Sequence, residues 1–404
     1  MEKIVIVGNG ISAINAIKAI REIDKKSSIE LFGEEKFYPY NRIRLSKGLL
    51  SSLEEDKILL QKKNWYDENN IELYIDKKVK SILPNDNKIE LEDGTKIEYS
   101  KLLLAQGASN LVPPIKGIDK KSVFTLRGLK DAWNIRDATK SSSKVLIIGG
   151  GIQGLEIAWI LSKQGKDVTI AEISSNLMPR ELDKKAAKIL EEAMKEADIE
   201  VLLDTEVKEI IGENQVKGFL TKKGKKQDCD MVIYSTGINP NLNVLTDTGI
   251  ESNRGVLVND KMETNIANIY ASGDVVEFNN RIYGLWNMAI EQGKTAGYNI
   301  VGKEETYQHL VPVITLRAFG ISLFSMGIID EDKASNIIIE EKHEDKSYTK
   351  ILLKDKQVIG AIVIGDIRKS PTLKKAIEEK IKLKNVNFNS VSIEEIIQII
   401  RRNR

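Results

Sequence analysis

Lys3-Ile4-Val5-Ile6-Val7-Gly8-Asn9-Gly10-Ile11-Ser12-Ala13 opens the chain with a β-branched run, two glycines one residue apart, and the start of an Ala/Ile-rich helical pattern that continues to about Ile23. A run that alternates too little for a half-exposed strand and is followed at once by 3.6-residue periodicity reads as strand, tight turn and helix. A second apolar run, Ile29 to Phe32, ends at Gly33-Glu34-Glu35, so the first 35 residues read as one βαβ unit. The same grammar returns further on: Lys144 to Ile148 is a strand, Gly149-Gly150-Gly151-Ile152-Gln153-Gly154 the turn, Leu155 to Lys163 the helix, and Val168 to Ala171 the next strand, closing on Glu172.

A glycine turn in this setting has a mechanism. The first glycine turns the chain, the second lets backbone amides approach a pyrophosphate, and the positive end of the helix favours the negative charge. One such turn is a weak signal, but two, each followed by an acid after the next strand, point to two dinucleotide sites. Gly8, Gly10, Ile11, Ser12 and Ala13 are the candidates in the first, Gly149, Gly151 and Gly154 in the second. Glu172 stands where a carboxylate accepts hydrogen bonds from ribose hydroxyls and repels a 2′-phosphate, which favours NADH over NADPH; Arg180 nearby can pair with a phosphate and pulls the other way. In the first unit Glu34 and Glu35 both follow the strand, and Glu35 is preferred.

Outward from these turns, the hairpin Lys88 to Glu92 and Lys96 to Tyr99 leads to the strand Leu102 to Ala105 and the small-residue turn Gln106-Gly107-Ala108. The stretch Val216 to Thr221, with the turn Lys222 to Lys226, leads to Met231 to Tyr234 and Ser235-Thr236-Gly237. The second copy repeats the first, and Pro113-Pro114 and Asn239-Pro240-Asn241 bracket it as linkers would. The expected fold class is therefore α/β, with two Rossmann-like domains. The NAD-binding one, residues 113–239, is inserted into a discontinuous FAD-binding one, residues 1–112 and 240–308. From 309 to 404, short alternating strands (Val311 to Leu316, Asn336 to Glu340, Tyr348 to Leu353, Val358 to Ile364) and two amphipathic helices (Thr372 to about Leu383, Ile393 to about Arg401) read as a small α+β domain.

Composition removes several functions. The 404 residues carry a formal charge of only +2, with 30% charged and 41% hydrophobic residues, so no global field points to nucleic acid or to an anionic membrane. No apolar run approaches the roughly 20 residues a bilayer span needs, which suggests a cytoplasmic protein. A single cysteine, Cys229, at the head of an apolar strand, excludes a CxxC redox pair, a cysteine-ligated cluster and the usual zinc site, and reads as a buried structural thiol. His309 and His343 have no metal-ligand spacing and read as surface residues, so no metal is expected.

The stretch Thr264 to Asp274, ending Tyr270-Ala271-Ser272-Gly273-Asp274, completes the pattern. With both glycine turns and the turns at Gly107 and Gly237 in order before it, the sequence resembles the pyridine nucleotide–disulfide oxidoreductase superfamily along nearly its whole length. Within it, Tyr38-Pro39-Tyr40-Asn41-Arg42-Ile43-Arg44-Leu45-Ser46-Lys47 and Pro312 to Gly320 look like the flavin-contacting segments of the branch holding NADH:rubredoxin reductase and the N-terminal flavin part of the nitrite reductase large subunit. The resemblance implies FAD and NADH as cofactors, NADPH less so. It implies that Asp274, after Gly273, holds the ribityl chain, that Ala105, Gly107 and Gly237 line the nucleotide turns, and that Arg42 and Arg317 face phosphate or the reduced flavin. It places Glu156 and Lys47 at the flavin N5 edge as catalytic candidates, where first-turn helix stabilisation and a solvated charge are the plain alternatives. Val79 matches a contact at the adenine end and equally fits a core position.

The departure from the superfamily sets the chemistry. The single cysteine of related peroxidases and coenzyme A disulfide reductases would fall near Ile43, which cannot form a sulfenate or mixed disulfide. The expected activity is transfer of electrons from NADH through FAD to a small acidic carrier protein such as rubredoxin. The alternatives are a flavin subunit serving a separate metal-bearing reductase chain, as in nitrite reductase-like systems, and an NADH-responsive flavoprotein with an interaction role. The basic stretches Lys222 to Lys226, Lys374 to Lys384 and Arg401 to Arg404 suit an acidic carrier, and suit equally well a solvated face.

Overall fold

Five parallel strands lie in the order Ile71–Tyr74, Ser28–Phe32, Lys3–Val7, Lys101–Leu104, Ile269–Ala271. Five others repeat the arrangement as Ile199–Leu202, Asp167–Ala171, Lys144–Ile148, Met231–Tyr234, Val123–Phe124. In both, the glycine-turn strand is central, the next two strands of its unit lie on one side and a later strand on the other, the Rossmann order, with the crevice at the carboxyl end of the central strand where the order reverses; the outermost strand comes late in the chain in the first sheet and precedes the glycine turn in the second. The computed structural model describes residues 2–51, 53–308, 310–342, 346–384, 386–388 and 390–402. His309, His343 and the end of the basic run at Arg404 lie outside the described residues.

The chain divides into two compact units. One holds the segments up to Leu111, Arg127–Leu129 and from Gly237 to the end of the first sheet's domain; the other holds Val112–Leu126, Lys130–Thr236 and everything from Leu310 onward.

In the first unit Ile4, Val5 and Ile6, and Leu102, Leu103 and Leu104 of the strand beside them, are buried on both faces, which is why the strands read as unbroken apolar runs. The antiparallel strands Val79–Leu83, Lys88–Leu91 and Lys96–Glu98 form the expected hairpin region. The second unit repeats it with Val207–Ile211, Gly218–Thr221 and Lys226–Gln227.

The second unit also contains a five-stranded antiparallel sheet, in the order Val313–Ala318, Ile321–Gly327, Gln357–Ile364, Ser347–Lys354, Asn336–Lys342. The helices Ser370–Glu378 and Ile393–Arg402 cover one face, burying Ile351, Val363, Leu373, Ile396 and Ile400. Two sequence expectations change here. The strand Ile321–Gly327 was not anticipated, because two serines and a glycine break its apolar alternation. It follows a two-residue turn, Phe319-Gly320, with φ of +54° and +73°, the hairpin turn whose twist suits antiparallel strands. The helix expected to reach Leu383 ends at Glu378, since Lys380 takes φ +51° and Lys382 bridges to Gln357.

Candidate functional site

The two glycine turns share one geometry. Gly8 has φ +95° and an added Cβ would lie 2.2 Å from the Ala105 carbonyl oxygen; Gly149 has φ +110° and its Cβ would lie 2.3 Å from that of Ser235. Each first glycine is therefore wedged against the turn after the fourth strand, where no side chain fits. The second glycines, Gly10 and Gly151, face open space, and each is the N-cap of its helix, Ile11–Ile23 and Ile152–Ser162, with no side-chain cap. The helix Lys184–Glu196 is instead capped by its own Asp183. Uncapped amides at a helix start, with room above them, fit a dinucleotide pyrophosphate. At the third position Gly154 is pressed 2.3 Å (as a Cβ) from the Gly149 carbonyl oxygen, whereas Ala13 is tolerated and fully buried.

In the first unit the structure gathers most of the expected residues. Ser12 Oγ hydrogen-bonds Ser272 Oγ at 2.6 Å, fastening the first helix to the turn that bears Gly273 and Asp274; Gln292 Oε1 accepts from Gly273 N at 2.9 Å. The Arg127 guanidinium donates to Asp274 Oδ2 at 2.8 Å and lies beside Gly107. Arg42 donates to the Arg127 carbonyl at 2.8 Å and to Glu35 Oε1 at 2.5 Å. Tyr40 Oη donates to Glu35 Oε2 at 2.8 Å and accepts from Arg42 and from Leu129 N, both at 2.9 Å. Burial first, then the Glu35 charge and hydrogen bond against the opposing Arg42, raises the Tyr40 phenol well above its ordinary value. Arg42 is held charged: burial alone would lower it, and Tyr40, Glu35 and Asp274 outweigh that.

Glu35 is thus inside this network, while Glu34 is exposed and faces Lys78 at 3.6 Å. Gln106 Oε1, buried in the adjoining turn, has no hydrogen-bond partner among the described residues, an acceptor left over at a polar site. Val79 packs in the core of this unit, and Lys47 is exposed at the end of the helix Ile43–Lys47. Sequence reasoning missed Tyr40 as a partner of Glu35, and missed Arg127 altogether. The only sequence signal for Arg127 is its place after the short strand Val123–Phe124, beyond the linker prolines.

In the second unit Glu172 closes on the turn: its Oε2 accepts from Gly150 N at 2.6 Å and its Oε1 from Ser174 N at 2.8 Å, and the residue is buried. Ile173 beside it is 66% exposed, and Arg180 is exposed on the same loop. Glu156 sits half-buried in the glycine-turn helix. Gly237, with φ +111°, accepts at its carbonyl from Leu111 N within the first unit. Arg317 is exposed on the strand Val313–Ala318. Cys229 is 5% exposed, and burial, reinforced by Asp230 and Asp228, pushes its thiol up to about 12.

Two dinucleotide turns of this kind in one chain define the class: an oxidoreductase that works with two dinucleotides. Residues 2–293 match the family described as pyridine nucleotide-disulphide oxidoreductase, and residues 312–381 match the rubredoxin NAD+ reductase C-terminal domain. The chain belongs to the pyridine nucleotide-disulphide oxidoreductase family. It is 35% identical to the NADH-rubredoxin oxidoreductase of Clostridium acetobutylicum, over 95% of this chain and 97% of that one. It is 34% identical to the NAD(P)H nitrite reductase of Bacillus subtilis over 90% of this chain, but spans only 46% of that relative. The crystal structure of NADH:rubredoxin oxidoreductase from Clostridium acetobutylicum superposes with a TM-score of 0.79 at 33% identity, over 98% of this chain and 99% of that one. No helix among the described residues is long and apolar enough to cross a membrane.

Proposed function

We propose that this protein is an FAD-dependent NADH oxidoreductase that passes electrons to a small, acidic electron-carrier protein of the rubredoxin kind. One observation carries the reading: two uncapped glycine turns stand in one chain whose single thiol is buried and held protonated, so no cysteine of the chain can receive the electrons. Bound FAD supplies the chemistry, accepting two electrons as hydride and releasing them singly. The first turn, with Glu35, Arg42, Arg127, Gly273 and Asp274, holds FAD. The second, with Glu172, holds NADH by its adenosine half, and residues 309–404 serve the carrier side. Lys47 and Glu156 remain the catalytic candidates that the resemblance implies, and Arg317 a cation for the reduced flavin. A cytoplasmic location, where NADH is formed, completes the reading.

The test is anaerobic stopped-flow absorbance of the FAD-loaded protein mixed with NADH, then with oxidised rubredoxin. Rapid bleaching by NADH and rapid recovery with rubredoxin, but not with a small disulfide, is the expected result. Bleaching that rubredoxin cannot reverse would instead favour a flavin subunit serving a separate metal-bearing chain, which the likeness to part of the Bacillus nitrite reductase supports.

A further inference from the structure

Lys350 is fully buried, on the strand Ser347–Lys354 of the C-terminal sheet. Its ammonium meets Asp183 Oδ2 at 2.6 Å and Glu331 Oε1 at 2.5 Å. Tyr348, on the same face of the strand, donates to Asp183 Oδ2 at 2.7 Å, and Asp183 Oδ1 accepts from Ala186 N at 2.9 Å as the cap of the helix Lys184–Glu196. One carboxylate therefore joins a helix start of the nucleotide fold to a buried cation of the C-terminal sheet. Two residues before Asp183, the Glu181 carbonyl accepts from Ser325 Oγ at 2.5 Å, Ser325 lying on the strand Ile321–Gly327, one strand removed from that of Lys350 in the same sheet. Lys185 and Glu341, at 2.7 Å, extend the grip along the helix.

The contacts to Asp183 and Glu181 fall on one loop, residues 172–183, which begins with Glu172 on the glycine turn and ends with Asp183 on Lys350. Between them Met178 is held at φ +47°, and its carbonyl accepts from Glu181 N and Leu182 N at 3.0 and 2.9 Å. The loop is thus pinned at both ends and crossed once in the middle. A buried lysine with two carboxylates is a poor device for stability alone, since well-packed apolar side chains do as well or better. It does fix one backbone geometry, because every partner must be in place for the charge to be tolerated.

We infer that Lys350, with Tyr348 and Ser325, is a positioning residue for pyridine-nucleotide binding, and that the C-terminal sheet holds the 172–183 loop so that Glu172 faces the adenosine ribose. The inference rests on the NADH reading of the second turn and adds a task for the C-terminal sheet besides any carrier docking. The adenosine half of NADH feels the loop; the nicotinamide half does not. A defect in Lys350 therefore shows with NADH and is silent with reduced nicotinamide mononucleotide, which lacks the adenosine.

The experiment compares Lys350→Met with the wild type, both FAD-loaded and full length, in flavin reduction by NADH and by reduced nicotinamide mononucleotide. The expected result is a KM for NADH raised roughly tenfold, the weight of one lost charge-assisted hydrogen bond, with kcat within about twofold and the mononucleotide rate unchanged. An unchanged KM, or equal losses with both donors, overturns the inference. If Lys350→Met does not fold, Ser325→Ala, which removes only the bond to the Glu181 carbonyl, takes its place with an expected rise of about threefold in KM for NADH alone; no rise there overturns the inference as well. A wild type that NADH fails to bleach removes the NADH reading itself, whereas a bleached wild type with an indifferent variant removes only the role of Lys350.

Discussion

The Tyr40 hydroxyl spends its one proton on Glu35 and both lone pairs on Arg42 and Leu129, so no capacity is left over. Tyr40→Phe keeps the ring and removes all three bonds, leaving Glu35 and Arg42 less well aimed. FAD fluorescence quenching on titration of the FAD-depleted chain should show a dissociation constant raised about tenfold, in line with the ~1.5 kcal/mol of a hydrogen bond to a charged group; an unaltered affinity would separate this network from the cofactor. Cys229 carries the opposite kind of expectation. With its thiol pushed up to about 12, only about one molecule in ten thousand is thiolate at pH 8, and the thiolate is the reactive form. An aromatic disulfide reagent should leave the native protein untouched at pH 8 and titrate one thiol per chain after unfolding in guanidinium. A fast-reacting native thiol would reopen cysteine chemistry. Glu35, Glu172 and Cys229 were legible in the sequence because their meaning lies in their distance from a glycine turn or in the apolar run that follows. Arg127 was not, since its partner Asp274 stands 147 residues away and only the folded chain brings them together; nor was Tyr40, whose hydroxyl joins Glu35 five residues before it to Leu129, 89 residues after it, through a loop that has no periodicity to read.

The strand–turn–helix units show why elements were easier to read than their ends. Both glycine turns are marked by sterics: an apolar strand, a glycine that a carbonyl oxygen excludes from being anything else, and a helix whose N-terminus has no side-chain cap. The strand Ile321–Gly327 had no such mark, and the helix Ser370–Glu378 is shortened by a backbone reversal that its periodicity does not announce. The helix Lys184–Glu196 carries a testable dependence on pH through its cap. Burial raises the Asp183 carboxyl, but hydrogen bonds from Lys350, Ala186 N and Tyr348 outweigh it and hold the group below its ordinary value. A depressed folded value means the stabilisation is complete above the unfolded carboxyl's ~3.9 and is lost as pH falls through the lower, folded value. Asp183→Asn keeps a good helix cap but leaves Lys350 short of a counter-charge, so urea unfolding at pH 7 should show a loss of about 3 kcal/mol. Below about pH 4 the gap between variant and wild type should narrow. A gap constant across that range would show that the carboxylate charge is not what holds the helix start.

At the scale of the whole molecule, the chain passes between its units at Leu111–Val112, Leu126–Arg127, Leu129–Lys130 and Thr236–Gly237 before it reaches the C-terminal sheet. No single cut frees either unit. Each nevertheless has an apolar core of its own: the cluster around Ile4, Leu103 and Ile269 in one, and those around Phe219 and around Ile351 in the other. Separate cores permit separate melting, and a ligand stabilises only the unit that binds it, by RT ln(1 + [L]/Kd). Calorimetry of the FAD-depleted chain should therefore resolve two transitions. FAD at about a thousand times its dissociation constant should add ~4 kcal/mol to the transition of the unit bearing Glu35, Arg42 and Asp274. NAD+ should raise the other transition, and in Lys350→Met that rise should shrink while the FAD effect stays. The two transitions are assigned by Gly8→Val and Gly149→Val, which drive a side chain into the Ala105 and Ser235 carbonyls in turn and should each lower one transition. If both ligands instead raised one common transition by the same amount, the two turns would have to be read as halves of a single site, and the assignment of one dinucleotide to each would fall.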